Sequence, residues 1–544
     1  MRADSSKHPL PAHARAGRRA ALRIAAGRLL ALAAATGLAA CVVIFRHPDV
    51  APVETTADSV AIRSPVKAHR VDGATVIYED GVVLVRDTLR GNGVSYDLRL
   101  SPSRSVPLLP VDSVVALESY QTRVNAAASI IVSTILTAPL AAGVALAIAC
   151  ATNPKCFGSC PTYYSREGDR FVLEAEGFSY SIAPLLEARD VDRLGARPSP
   201  DGVLRLEVRN EALETHYHNH MELLAVAHAP DERVLPDPRG EPIAVRGALA
   251  PVTAVDRAGR DLGPVVAVAD GHAFESDRRL LGEAATGELR DFIELSVPRP
   301  EGVDSVALIL RLRNSLLATV LLYDVMLGDP GPRAVDWVGE DLQRIDRAVK
   351  LGRWYVEYFG LGIDVDEGGT YRRAAWFRDT GPIAWKELAV PIPVPAGAGD
   401  SLRVRLSFVT DNWRIDRLAV AAAFRRPGAR GLPVSRVIGN DGRENAGALE
   451  ALRAPDARYL QVYPGGRFTV EFDAGSVEPG VARTFMVASQ GYYIEWIRRA
   501  WLRSAGADRD FEPSERAVRE AIARWASGRQ ELEARFAATR IPVR

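Results

Sequence analysis

Apolar and polar positions alternate with a period of two along most of this chain. Between Val71 and Glu118 the runs Thr75-Val76-Ile77-Tyr78, Val82-Val83-Leu84-Val85, Tyr96-Asp97-Leu98-Arg99-Leu100 and Ser113-Val114-Val115-Ala116-Leu117 are punctuated by Asp80-Gly81 and Gly91-Asn92-Gly93. Short β-branched runs between Gly and Asn or Asp turns predict a four- or five-stranded β-meander or small barrel over residues 71–121. The texture returns at Val203 to Val208, Leu213 to Ala227, Phe292 to Val297, Ser305 to Leu312, Ser401 to Phe408 and Arg467 to Phe472. Successive side chains of a strand point to opposite faces, so these runs predict half-buried strands of antiparallel sandwiches. The Pro- and Gly-rich connections 236–240 and 395–400 separate them, and Val404 to Val420 has the look of closing jelly-roll strands. We read one sandwich over 155–333 and a second over 334–490.

Three stretches break the alternation. Val338, Leu342, Ile345 and Val349 have helical spacing and predict a link between β units. Residues 491–544 turn helical, with Pro513 at the expected start and Val518, Ile522, Trp525, Leu532 and Phe536 on one face, so a terminal amphipathic helix should dock on the body. The third stretch, Val124 to Pro154, is 31 residues without a charge. It exceeds the roughly 20 residues that span a bilayer. Pro139 would kink or split a helix there. The expectation for 124–154 is an apolar helical segment or hairpin, in lipid or buried in protein, and the flanking Arg123 and Lys155 leave its orientation open. The fold class expected is therefore mainly β: a small β unit, an apolar helical segment, tandem sandwiches and a C-terminal amphipathic helix.

The amino terminus reads as an address. Residues 1–28 carry seven Lys or Arg against one Asp, and the apolar run Leu29 to Ala40 follows. A basic region before about a dozen apolar residues is a secretory signal pattern, here 1–40. It ends in Leu38-Ala39-Ala40-Cys41, which resembles the lipobox of bacterial lipoproteins. That resemblance implies diacylglycerol modification and palmitate on Cys41, with 41–70 as a lipidated tether rich in Pro, Thr and Ala; the alternative is an uncleaved anchor that continues through Val42 to Phe45. It places the protein in the bacterial cell envelope, membrane-anchored and facing the periplasm or cell surface. Arg18-Arg19 lacks the Phe-Leu-Lys of a twin-arginine signal and reads as simple amino-terminal charge.

Composition narrows the partners. Hydrophobic residues are 47% and charged residues 25%, values of an ordinary globular protein. Lys plus Arg equals Asp plus Glu at 68 each, so no overall field gathers polyanions, and nucleic acid is not an expected partner. All four cysteines, Cys41, Cys150, Cys156 and Cys160, lie in the first third of the chain. In an oxidising compartment Cys156 and Cys160 are positioned to pair, or one of them with Cys150. A three-thiolate metal site lacks a fourth ligand at a recognised spacing.

The segment Lys155-Cys156-Phe157-Gly158-Ser159-Cys160-Pro161-Thr162-Tyr163-Tyr164 is followed by Asp169 to Ser179, Ile182 to Glu187 and Asn210 to His216. Together they resemble a family of uncharacterised bacterial envelope proteins, in which an apolar run leads into a C-F-G-S-C-P-T-[FY] segment. A looser version is similar to β-rich modules beside TPR and FG-GAP repeats. The resemblance covers Val71 to Val234 well and the remainder loosely. It implies no activity, so no catalytic residue is carried over.

His216-Tyr217-His218-Asn219-His220 is the most provocative cluster. On a regular strand Glu214, His216, His218, His220 and Glu222 share one face, with Tyr217, Met221 and Leu223 on the other. Imidazoles about 7 Å apart along that face suit zinc, with help from elsewhere. The competing reading is a polar strand face in solvent. Asp364-Val365-Asp366-Glu367 offers hard oxygens for calcium but not the twelve-residue loop, and a solvated turn explains it better. Trp337, Trp354, Tyr355, Trp376, Trp385 and Trp413 would stack on sugars if exposed and pack the core if not, the latter being the better default. No G-x-S-x-G, H-E-x-x-H or phosphate loop is present. The expected role is a membrane-anchored lipoprotein for binding or scaffolding, without a cofactor, whose envelope partner is a protein or glycan. A glycan-active hydrolase or carbohydrate-binding protein on the same sandwiches is the alternative.

Overall fold

The computed structural model describes residues 59–96, 102–120, 160–251, 253–397, 399–476, 480–503 and 510–538. The expected signal segment 1–40, Cys41, the expected tether as far as residue 58, the apolar stretch 124–154, Cys150 and Cys156 lie outside these residues. The described residues belong to one compact unit. It is mainly β, with tandem sandwiches and a C-terminal helix.

In the first sandwich one sheet runs in the order Arg436–Gly439, Arg467–Asp473, Val203–Arg209, Thr162–Glu167, Arg170–Glu176. The facing sheet runs Ala188–Arg193, Ala482–Glu495, Glu214–His228, Arg430–Pro433, with Leu460–Val462 also paired to Glu214–His228. Alternate residues meet between them: Leu204, Leu206, Val470 and Phe472 from one sheet pack on Met221, Leu223 and Val487 from the other. The second sandwich sets Thr253–Asp256, Arg290–Pro298, Ser401–Val409, Leu361–Asp366 and Tyr371–Phe377 against Lys386–Pro393, Ser305–Asn314 and Trp413–Ala421. Ile293, Leu295, Val404 and Leu406 fill its core with Leu308, Leu310, Ile415 and Leu418.

Strand pairing crosses the boundary read at residues 333 and 334. Val203–Arg209 pairs with Arg467–Asp473, and Arg290–Pro298 with Ser401–Val409. The second sandwich is thus an insertion between the halves of the first, because alternation marks a strand without naming its partner. A small sheet of Arg233–Pro236, Pro242–Arg246 and Ala423–Arg425 bridges the two. One of its faces packs on Ile309 and Ala419, the other on Leu224 and Met486. Lys386 Nζ, from the second sandwich, adds a buried ion pair to Asp192 Oδ1 of the first at 3.1 Å.

The amino-terminal sheet is larger than the runs predicted. Ser59–Ile62 and Val66–Arg70, read as tether, are strands, and Pro102–Pro110 pairs with Thr88–Tyr96. Their alternation hides among Pro, Ser and Lys, yet Ile62, Val66 and Ala68 are core residues. Ile497–Arg498 pairs with Val114–Ser119, so strand structure extends past residue 491, where helix was expected. A sheet of this size is marginal alone. Here Val66, Tyr78 and Leu117 share one core with Leu317, Trp337, Trp354, Trp501 and Trp525.

Helices supply that shared core. Leu317–Val320 continues into a π-helix over Leu321–Gly328, and Ala334–Gly339 and Ile345–Phe359 follow. The last buries Ala348, Leu351, Trp354 and Phe359, while Ile345 and Val349 are 72% and 44% exposed. The predicted stripe fails beyond Leu342 because the 3₁₀ turn Asp341–Gln343 interrupts the helix and resets its phase. The terminal helix Glu515–Ala538 docks as expected, with Val518, Ile522, Trp525 and Leu532 buried and Phe536 against the core. It starts two residues after Pro513, with the Ser514 hydroxyl accepting the Ala517 N–H at 3.4 Å. No helix among the described residues is long and apolar enough to cross a membrane.

Candidate functional site: a cavity between the sandwiches and the helices

The first sandwich, the helical layer and the second sandwich meet around a cavity of about 670 Å³. Its walls come from three segments. Ser179 to Glu187 follows the strand Arg170–Glu176; Ala318, Thr319, Leu322, Tyr323 and Met326 come from the helix and its π continuation; Leu351 to Glu357 come from the next helix. Cys160 and Tyr493 line it from the first sandwich, and Trp376, Arg378, Asp379 and Pro382 from the second. The extra residue per turn of a π-helix re-aims its side chains, a feature frequent at functional sites. Leu185, Arg353, Glu357 and Arg378 are exposed rim residues.

The loop that carries Asp379 is pinned from both sandwiches. Glu176 Oε2, at the end of its strand, accepts the backbone N–H groups of Ile383 and Ala384 at 2.7 and 3.1 Å. Asn314 Oδ1 accepts the Thr380 N–H at 2.6 Å, and the Asn314 N–H donates to the Gly381 carbonyl at 2.9 Å. Gly381 has φ of +83°, and a Cβ there would collide with the Glu176 carboxyl. Asp379 is thereby held 6% exposed at the cavity wall.

Tyr355 Oη donates to Asp379 Oδ2 at 3.2 Å, while Oδ1 is buried with no hydrogen-bond partner. Burial pushes the Asp379 carboxyl up to about 7, with Asp190 adding to the rise and the Tyr355 hydrogen bond and Arg378 opposing it. The Ser179 hydroxyl is likewise buried and without a partner. Glu187 is committed instead: Asn219 Nδ2 and Gln490 Nε2 donate to one of its oxygens at 2.8 and 3.0 Å, and Tyr459 Oη to the other at 2.7 Å.

Behind this wall the structure opposes two acids that the sequence does not pair. Glu214 and Glu495 sit opposite each other in register, both buried. Glu214 Oε1 accepts the Cys160 N–H at 2.8 Å, and Arg498 Nη2 donates to Glu495 Oε1 at 3.0 Å. Burial raises Glu214 to about 7 and Glu495 well above its ordinary range. Two carboxyls beside one buried guanidinium are best neutralised by sharing a proton. Neither lines the cavity.

The histidines do not share one face. His218 pairs with Gly491 but His220 with Gln490, so Asn219 is an extra residue and the strand bulges. The bulge turns His220 to the opposite face. His216 and His218 point inward, edge-on to each other with ring centroids 5.9 Å apart, and His218 meets Phe178 and Phe468 at 5.4 Å each. The solvated strand face is corrected accordingly: both rings are fully buried. Burial lowers His216 to about 3, and its Nε2 lies 2.6 Å from Glu214 Oε1. Among the described residues no group of three or more His, Cys, Asp or Glu is arranged to hold a metal. The phase change was visible as Met221, Leu223 and Ala225, an odd-numbered apolar run that continues the even-numbered face of Glu214, His216 and His218.

The remaining candidates have partners. Asp364 accepts from Arg373 Nε at 2.5 Å and Ser407 Oγ at 2.8 Å, Asp366 accepts the Gly369 N–H at 2.7 Å, and Glu367 pairs with Arg372 at 2.9 Å. This is a braced hairpin, not a loop with free oxygens. Trp337, Trp354 and Trp413 are core residues. Trp385 lies under Arg311 and Arg313, and Trp376 lines the cavity under Arg373. Cys160 is buried with φ of +56°; its candidate partner Cys156 is outside the described residues.

No protein-family model matches the chain. No curated protein matches it either. Among solved structures it is similar to a chain in "Structure of infectious bursal disease virus Gt strain", at 11% identity over 70% of this chain and 87% of that one. The TM-score of 0.11 is too low to carry an argument.

Proposed function

We propose that this chain is a binding protein of the bacterial envelope, anchored through Cys41, that holds an apolar small molecule in the cavity between its sandwiches and helices. The observation that carries the reading is the cavity itself: about 670 Å³, walled by Leu, Ile, Met, Tyr and Trp side chains, with few polar groups converging on it. Ligand pockets are typically about 300–1,000 Å³ with this mixture of apolar wall and sparse polar handles. A sugar would leave many hydroxyls without partners against such a wall, so an apolar ligand fits better than a glycan. The envelope location rests on the signal pattern and the lipobox resemblance, and the supporting family likeness on the Cys156 to Tyr164 segment.

The test is to purify the full chain gently from its native membrane, extract it with organic solvent and identify co-purifying molecules by mass spectrometry. A stoichiometric apolar compound, depleted in Ala318→Trp, supports the reading. An extract no different between the two proteins counts against it.

A further inference from the structure

The charges around the cavity divide between its wall and its mouth. In the wall, Glu187 and Asp379 already have protein donors: Asn219, Gln490 and Tyr459 for the first, Tyr355 for the second. At the mouth three charged side chains are exposed, Arg353, Glu357 and Arg378. The cations that line the cavity are therefore both at its mouth.

The two arginines have donors to spare. Arg378 lies over the Tyr180 ring, 4.9 Å from its centroid, and that ring's hydroxyl donates to the Arg189 carbonyl at 3.4 Å. Stacking uses the face of the planar guanidinium and leaves its edge N–H groups free to donate. Arg353 stands on the helix Ile345–Phe359 next to the lining residue Gly352. Among the described residues no ion pair or hydrogen bond engages either guanidinium. Glu357 follows Arg353 by one helical turn and pairs with neither arginine, so the mouth carries two bases to one acid.

This division orients an amphiphile. An ionised head carried inside would lose its water with no cation to replace it, and an anionic one would also approach Asp379. At the mouth the same head keeps its water and meets guanidinium N–H groups, which suit carboxylate and phosphate oxygens. We infer that the cavity takes single-chain amphiphiles with an anionic head, the chain lying against Leu322, Met326 and Val356 and the carboxylate or phosphate meeting Arg353 and Arg378 at the mouth. An ammonium head finds only Glu357 there. The inference rests on the proposed function and names its ligand class.

Exposed ion pairs are individually weak and screened by salt, so the two arginines together should be worth about tenfold in affinity at low ionic strength. The experiment titrates the full chain at pH 8 with decanoate, decyl phosphate, decanol and decylamine, each displacing a fluorescent apolar probe. It is run in wild type, in the double variant Arg353→Gln/Arg378→Gln and in Glu357→Gln, at about 20 mM and 500 mM salt. Decanoate and decyl phosphate should weaken about tenfold in the double variant, decanol should not change, and decylamine should tighten. Glu357→Gln should act in the opposite direction on the anions, and high salt should shrink every one of these differences while leaving decanol as it was. The tighter of the two anions identifies the head. Equal shifts for all four heads, or anions unaffected by the double variant, overturn the inference and leave the apolar-cavity reading standing. If neither the probe nor any decyl compound binds, that reading itself fails. Should the double variant not fold, Glu357→Gln and the wild-type salt dependence decide: anion binding indifferent to both overturns the inference.

Discussion

Glu176 Oε2 accepts the Ile383 N–H at 2.7 Å, tying a strand end of the first sandwich to the loop of the second that carries Asp379. The same oxygen takes the Ala384 N–H. One carboxylate therefore fixes the loop that gives the cavity its buried acid.

Glu176→Ala leaves two backbone donors, one buried and one partly buried, without an acceptor. The expected cost is about 2–4 kcal/mol in global stability. Amide exchange over residues 379–384 should quicken more than elsewhere. Chemical denaturation and hydrogen exchange check both; an unchanged exchange pattern contradicts the pinning role.

Glu118 joins the amino-terminal sheet to the first sandwich. It is fully buried, takes Thr215 Oγ1 at 2.7 Å, and lies 2.9 Å from His69 Nε2 and 3.5 Å from Lys67 Nζ. Burial alone would raise its carboxyl, but Lys67 and the hydrogen bonds of His69 and Thr215 outweigh that and bring it from 4.5 to about 2. A lowered acid stabilises the fold above its unfolded value and loses that contribution as pH falls through the folded value. Between pH 5 and 2 the wild type should lose about 3 kcal/mol from this group. Glu118→Gln should be less stable at pH 7 and show a shallower slope in that window. Parallel slopes in urea titrations from pH 7 to 2 contradict the assignment.

The terminal helix depends on Trp525, whose Nε1 donates to Asp411 Oδ2 at 2.7 Å in a fully buried setting. Trp525→Ala should cost about 3–5 kcal/mol. The helix Glu515–Ala538 should become open to proteolysis while the sandwich strands stay protected. Limited proteolysis read by mass spectrometry checks this.

The lipobox resemblance makes its own demand. Wild-type chain expressed in a bacterial host should incorporate labelled palmitate and fractionate with membranes, and Cys41→Ser should lose both. Label persisting in Cys41→Ser contradicts the anchor.

What the sequence disclosed and what it withheld divide along a physical line. Alternation is local, so Val203–Arg209, Ser305–Asn314 and Ser401–Val409 were legible as strands. Their partners lie up to several hundred residues away, and nothing local encodes that Val203–Arg209 pairs with Arg467–Asp473. The one-residue bulge at Asn219 reversed His220 and could be read only by noticing the apolar run change parity. Ile345 and Val349 misled because a turn at 341–343 reset the helix phase. The cavity was illegible for a simpler reason. Tyr355 and Trp376 stand out in the sequence only as aromatics, Ser179 and Asp379 are ordinary residues in other segments, and only packing brings the four together.

The central claim is that the cavity binds an apolar molecule. Titration of the full chain with N-phenyl-1-naphthylamine, followed by fluorescence, tests it most directly. The account predicts saturable binding at one probe per chain, weakened by Ala318→Trp, which narrows the cavity while the thermal transition is retained. Absence of saturable binding, or binding unchanged in a folded Ala318→Trp protein, would contradict it.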